Sequence, residues 1–118
     1  MPGTCTRGMV LEVNLDPAIG SEPNKVRPCV VIQNDIGNRY SPVSIIAAIT
    51  DASHVAKKYP VDVPVPKGEG GLIKDSVVQC NLIRCVDERR FGKTLGHLSK
   101  STMEAIDHAL GISLGLRL

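Results

Sequence analysis

"RPCVVIQNDIGNRYSPVSIIAAIT", residues 27–50, decides the fold. "CVVIQ" (29–33) is a β-branched run bounded by a proline and by "ND", which marks a buried strand. "VSIIAAIT" (43–50) is a second apolar run that ends on a hydroxyl residue. The polar stretch 34–42 reads as a loop, so the two runs are predicted to pair as a hairpin. Upstream, "GMVLEVNL" (8–15) alternates and is followed by Asp16-Pro17, hence a strand and then a loop over 16–28. Downstream, 51–60 is a polar excursion, and the prolines of "VDVPVP" (61–66) confine it to a sheet edge. "KGEGGLIKDS" (67–76) is predicted to be a mobile loop, and "SVVQCNLIRCVD" (76–87) a strand or two short ones. Five to seven strands of about five residues make a small antiparallel barrel.

The period changes at the C-terminus. Met103, Ile106, Leu110 and Leu114 recur at three- and four-residue steps, so a helix with one core-facing stripe is expected from about residue 100. Ser101 with Glu104 forms a capping box, and Ser99 with a Leu98–Met103 staple is nearly as good. The fold class expected is mainly β (α+β), in one domain over residues 1–118. With 42% hydrophobic residues the chain can bury one core, and no repeat or low-complexity block interrupts it.

Composition excludes several functions. The formal net charge is +2, so any polyanion site must be local. Tyr40, Tyr59 and Phe91 are the only aromatics, too few for a stacking platform, and base contacts would be mostly polar. The first residues lack the apolar core of a signal peptide and no stretch spans a bilayer, so a cytoplasmic location is expected. Cys5, Cys29, Cys80 and Cys85 show no CxxC spacing, and Cys29 and Cys80 are expected as buried free thiols, a disulfide or metal role being the alternative. HExxH, Cys/His clusters, Walker and dinucleotide motifs are absent, and "GEGG" lacks the elements of a phosphate loop. His54, His97 and His108 invite comparison with paired histidines that cleave RNA, but they also fit surface or capping positions.

Arg27 is the sharper clue. Pro28 pushes it into an extended conformation, which fixes where its side chain leaves the start of a stiff strand. A guanidinium so held offers planar donors suited to a phosphate. A salt bridge to Glu22 or Asp35 is the bland alternative. Thr50 ends the following strand and can meet Arg27 at one edge, although a threonine there also serves turns.

In these blocks the chain resembles the MazF/PemK/Kid toxin endoribonucleases of bacterial toxin–antitoxin pairs. The resemblance rests on "RG" (7–8), "LDPAIGSE" (15–22), "RPCVVIQNDIGNRYSP" (27–42), "IIAAIT" (45–50), "KDSVV" (74–78) and "IRCVDERR" (83–90). It implies an SH3-like barrel with a C-terminal helix, acting as a homodimer whose groove receives single-stranded RNA. Such proteins cut RNA without a metal or other cofactor and are inhibited by an antitoxin whose tail fills that groove. The family's usual catalytic pair falls on Arg27 and Thr50. Ser21, with Glu22 beside it, matches a position that contacts RNA or supports the site in relatives, and turn capping is its equally weighted alternative role. Asn34 and Asn38 either read bases or brace the polar loop, and bracing is favoured. Gln79 and Asn81 depart from relatives that carry ionisable residues there; an amide is no general base, but both can bond base edges. The aromatic usual after "RG" is missing, which is read as altered core packing.

A gyrase-poisoning toxin on the same scaffold is the competing expectation, and Arg27 with Thr50 discriminates against it. A homologue retaining only antitoxin or RNA binding is the third. Which bases are read would depend on loops 16–26 and 51–74.

Overall fold

A computed structural model describes residues 5–17, 19–21, 25–55 and 59–116. These contain β1 (Met9–Asn14), β2 (Val26–Val31), α1 (Asp35–Tyr40), β3 (Val43–Asp51), β4 (Asp62–Val65), β5 (Ser76–Asp87), β6 (Phe91–His97) and α2 (Lys100–Leu114), with 3-10 turns at 52–54, 69–71 and 88–90. The strands form one antiparallel sheet in the order β4-β5-β3-β2-β1-β6. The 69–71 turn follows β4 in the chain yet packs on β6, so the two sheet edges curl toward one another as in a small barrel.

Alternation along the strands builds two apolar layers. Val10, Val30, Ala47, Ile49 and Val78 face one side, where α2 covers them with Ile106 and Ala109. Leu11, Val13, Cys29, Val31, Ile46 and Val86 face the other. Ile106 is completely buried, which contributes about 1.5–3 kcal/mol. Met103 and Leu110 join that stripe as expected, whereas Leu114 is 54% exposed and lies outside it. Cys29 and Cys80 are free and fully buried, as expected; Cys85 is free and exposed. No helix among the described residues is long and apolar enough to cross a membrane.

Several local expectations change. β2 begins at Val26, inside the expected 16–28 loop, where Val26, Arg27 and Pro28 pair with β1, and β6 forms over Phe91–His97, where no strand was expected. The polar stretch 34–42 contains a helical turn and a half, α1, capped by Asn34, whose Oδ1 accepts from the Gly37 amide at 2.8 Å. The "KGEGG" segment is packed rather than loose. A Cβ on Gly71 would stand 2.1 Å from the Leu95 carbonyl oxygen, and one on Gly70 would meet Val10 and Leu98 within 2.9 Å.

The α2 N-cap is Ser99, accepting from the Thr102 amide, and the Ser101–Glu104 box is not used. Glu69, thirty residues away, supplies the carboxylate instead: its Oε2 accepts from the Ser99 amide at 3.1 Å and from Ser99 Oγ at 3.2 Å. Of the two readings open for 76–87, one long strand is observed, and it carries a bulge. Ala47 faces Ile83 but Ala48 faces Gln79, so Cys80, Asn81 and Leu82 are extra residues on the β5 side.

Candidate active site

The β2–β3 ladder runs Val31 to Ile46, Val30 to Ala47 and Cys29 to Ala48, and ends at Pro28, which has no amide hydrogen to continue it. The same register carried two residues further sets Arg27 opposite Thr50. Alternation puts Arg27 on the face of Cys29, and Thr50 on that of Ala48. Both residues are partly exposed. On its other flank Arg27 is paired with the fully buried Val13 of β1, which makes a rigid, apolar mount.

The electrostatics agree with that placement. Burial pushes the Cys29 thiol up to about 12, and the nearby Arg27 charge and the Ile49 amide only partly offset it. Cys29 therefore stays neutral at ordinary pH and does not cancel the arginine's charge. Asp35 is engaged elsewhere: its Oδ1 accepts from the Arg7 amide at 2.7 Å and from Asn38 Nδ2 at 3.2 Å. Glu22, the other expected salt-bridge partner and RNA contact, lies outside the described residues.

Across the sheet Thr50 faces Val77, and Ala48 faces Gln79. Gln79 thus sits on the face of Thr50, one step along it. The bulge beyond it presents Asn81, exposed, at the rim of a cavity of about 180 Å³ between Leu15, Ile46, Ala48, Leu82 and Arg84. Arg84 Nη1 donates to the Leu15 carbonyl at 2.7 Å, and Arg90 Nη1 donates to those of Asn14, at 3.0 Å, and Asp16. These two arginines pin the base of the loop that carries Ser21, which is itself exposed in a turn. The sequence assigned them no role, because their partners are backbone carbonyls some seventy positions away.

Other expected residues lie apart from this edge. Asn34 caps α1. Asn38 is 2% exposed, accepts from Ser44 Oγ at 2.6 Å and Gln33 Nε2 at 3.2 Å, and donates to the Gln33 carbonyl at 2.9 Å. That network braces the β2–β3 connection, as favoured above. His97 on β6 contacts Thr6 Oγ1 at 3.1 Å, and His108 is exposed on α2. His54 ends the turn that follows β3, so the three histidines belong to three separate elements. Among the described residues no group of three or more His, Cys, Asp or Glu side chains is placed to hold a metal ion.

Comparison with known proteins gives a consistent result. Residues 6–114 match the family described as PemK-like, MazF-like toxin of type II toxin-antitoxin system. The chain is 49% identical over 110 residues to "Endoribonuclease MazF" of Staphylococcus epidermidis, covering 93% of this chain and 91% of that one. A crystal structure of MazF from Deinococcus radiodurans matches with a TM-score of 0.80 at 25% identity, over 95% of this chain and 97% of the other. An endoribonuclease in complex with its cognate antitoxin, from a mycobacterial species, also superposes with a TM-score of 0.80, at 21% identity and over 98% and 99% of the two chains. The chain belongs to the PemK-like, MazF-like toxins of type II toxin–antitoxin systems.

Proposed function

We propose that this chain, as one domain over 1–118, is a metal-independent endoribonuclease toxin that cuts single-stranded RNA at short sequences in the cytoplasm. The observation that supports the reading is the β2–β3 register, which runs to Cys29 and Ala48 and, extended two residues past it, sets Arg27 opposite Thr50. The ribose 2'-hydroxyl attacks the adjacent phosphorus, the bond to the 5' oxygen breaks, and the hydroxyl's proton ends on that oxygen. A 2',3'-cyclic phosphate is the first product. Charge gathers on the phosphoryl oxygens, where Arg27 clamps it and the Thr50 hydroxyl donates to a non-bridging oxygen. The nucleophile comes with the substrate, so the protein's task is orientation and charge stabilisation.

Gln79 and Asn81 are the proposed readers of base edges, and Ser21 and Glu22 contact the strand from the loop pinned by Arg84 and Arg90. Asn34 is too occupied as a cap to take that part. The working unit is a homodimer with a groove shared between copies, and a cognate antitoxin blocks that groove. A mycobacterial relative solved in complex with its cognate antitoxin supports the antitoxin part of this reading, and the exposed Ile112 and Leu116 at the end of α2 offer apolar surface for a partner.

The test is incubation with a long RNA in chelator, comparing wild type with Arg27→Ala, Arg27→Lys and Thr50→Ala. Each lost donor is expected to reduce kcat by about 10²–10³, and lysine is expected not to rescue because a point charge does not reproduce the planar fork. An undiminished, normally folded Arg27→Ala, or cleavage that survives 2'-deoxy substitution at the scissile site, would refute the mechanism.

A further inference from the structure

The wedge left open by Pro28 leads to a second cavity, of about 220 Å³. Arg27 forms part of its wall. His54, Lys74 and Ser76 stand around it, above a floor that includes Ile49 and Leu72. Its position relative to Thr50 follows from the ladder: Asp51, which also lines it, is the next residue of β3 and is paired with Ser76, while Thr50 is paired with Val77. The cavity therefore begins one residue from Thr50, at the sheet's end, and Arg27 borders it directly.

Its charges favour an anion. Asp51 is the one carboxylate among the described lining residues, and it is already engaged. Its Oδ1 accepts from the Ser53 amide and Ser53 Oγ, both at 2.9 Å, and its Oδ2 faces Lys74 Nζ at 3.4 Å. Asp51 thus tethers Lys74 at the cavity rather than emptying the cavity of positive charge. A lysine ammonium carries three donors, and Asp51 uses one, which leaves two for a ligand. Among the described residues the His54 ring has no hydrogen-bond partner, so it too is available to donate. Apolar floor atoms lower the local polarity and strengthen the attraction to a charged group.

We propose that this cavity is a second phosphate subsite, holding the phosphodiester next to the one between Arg27 and Thr50, with Lys74 and His54 as its donors. The inference rests on the ribonuclease reading above. It makes Arg27 the post between two consecutive phosphates, and it makes Lys74 and His54 positioning residues that seat the strand without touching the reacting atoms. The RNA then turns over the end of the sheet rather than lying along one face, so substrates with a phosphate on only one side of the scissile linkage are cut less efficiently.

The experiment couples protein and substrate changes. The site that the wild type cuts is mapped on a long RNA. Short RNAs carrying that site are then made with one uncharged methylphosphonate at each linkage flanking the cut. Wild type is expected to lose about tenfold in kcat/KM at one flanking linkage, in line with a charge-assisted contact at a partly exposed site. Lys74→Ala is expected to lose a similar factor on unmodified RNA and to be indifferent to that same replacement; His54→Ala behaves likewise with a smaller loss, and Lys74→Arg retains most of the rate. The loss falls on KM, and the slope of log(1/KM) against log salt flattens by about 0.7 for the missing contact. The Lys74 side chain is 68% exposed, so its variants fold as wild type does. If wild type cuts RNA but Lys74→Ala remains as sensitive as wild type at every flanking linkage, the subsite is refuted and the ribonuclease reading stands. If wild type cuts no RNA, both fall.

Discussion

Cys29 tests the electrostatics of the Arg27 edge without any substrate. Its thiol is fully buried, and burial raises its pKa from 9.0 to about 12, with Arg27 and the Ile49 amide pulling weakly the other way. The folded form holds its proton longer than the unfolded chain, so alkaline pH favours unfolding. The stabilisation is fully present below pH 9 and is lost as pH climbs toward 12. Between pH 8 and pH 11 the loss is about 3 kcal/mol, approaching about 4 kcal/mol at the upper limit. Cys29→Ala removes the titrating group at a pH-independent cost of about 1–2 kcal/mol for the lost sulfur. The two stability curves should then cross near pH 10, with the alanine variant the more stable above it. Urea unfolding at pH 8, 9, 10 and 11, in a Cys85→Ser background to avoid disulfides between exposed thiols, measures this directly. Parallel curves across that range would show that Cys29 is not desolvated, and the tightly packed apolar mount argued for Arg27 would be wrong.

Two further outcomes concern how the fold holds the site. Gly71→Ala brings a Cβ to 2.1 Å from the Leu95 carbonyl at a φ of 75°, whereas Gly68→Ala, at a φ of 97°, meets nothing within 4 Å. The first should destabilise by about 3 kcal/mol and the second by about 1 kcal/mol, and equal shifts in Tm would contradict the packed turn. Burial works to raise the Glu69 carboxyl, but bonds from Thr102 and Ser99 outweigh it and hold the group below its ordinary value. Glu69→Gln should therefore cost about 1 kcal/mol at pH 7, where the carboxylate is ionised, and the gap should close as the pH falls below 4.5 and the wild-type carboxyl protonates. A gap that persists at low pH would remove Glu69 as the helix cap.

What could be read from the sequence divides along the range of the forces involved. Strands β1, β3, β4 and β5 and three of the four residues of the α2 stripe follow from alternation and from three- and four-residue spacing, and they appear where expected. By comparison, β2 starts at Val26, inside the expected 16–28 loop, and β6 (Phe91–His97) lies where no strand was expected. The β2–β3 ladder ends at Pro28, because the missing amide hydrogen there is a covalent fact, but the strand itself runs on to Val26 against β1. By contrast, α1 has six residues, a glycine within it and no apolar repeat, so nothing local separates it from a loop. The Glu69 cap on Ser99 depends on a contact thirty residues apart, and the nearby Glu104 offered a more economical partner. The β5 bulge is still less visible: "QCNLIR" alternates well enough to pass as plain strand, and only pairing with β3 reveals three extra residues. That hidden feature moves Asn81 off the Thr50 row to the rim of its own cavity, while Gln79 remains beside Thr50. The placement of Arg27 and Thr50 at one end of the sheet was therefore legible because one residue's covalent structure ends a ladder. The surfaces that would choose and seat the substrate were not, because they arise where distant segments fail to pair: at the bulge on one side, and at the wedge between Arg27 and Lys74 on the other.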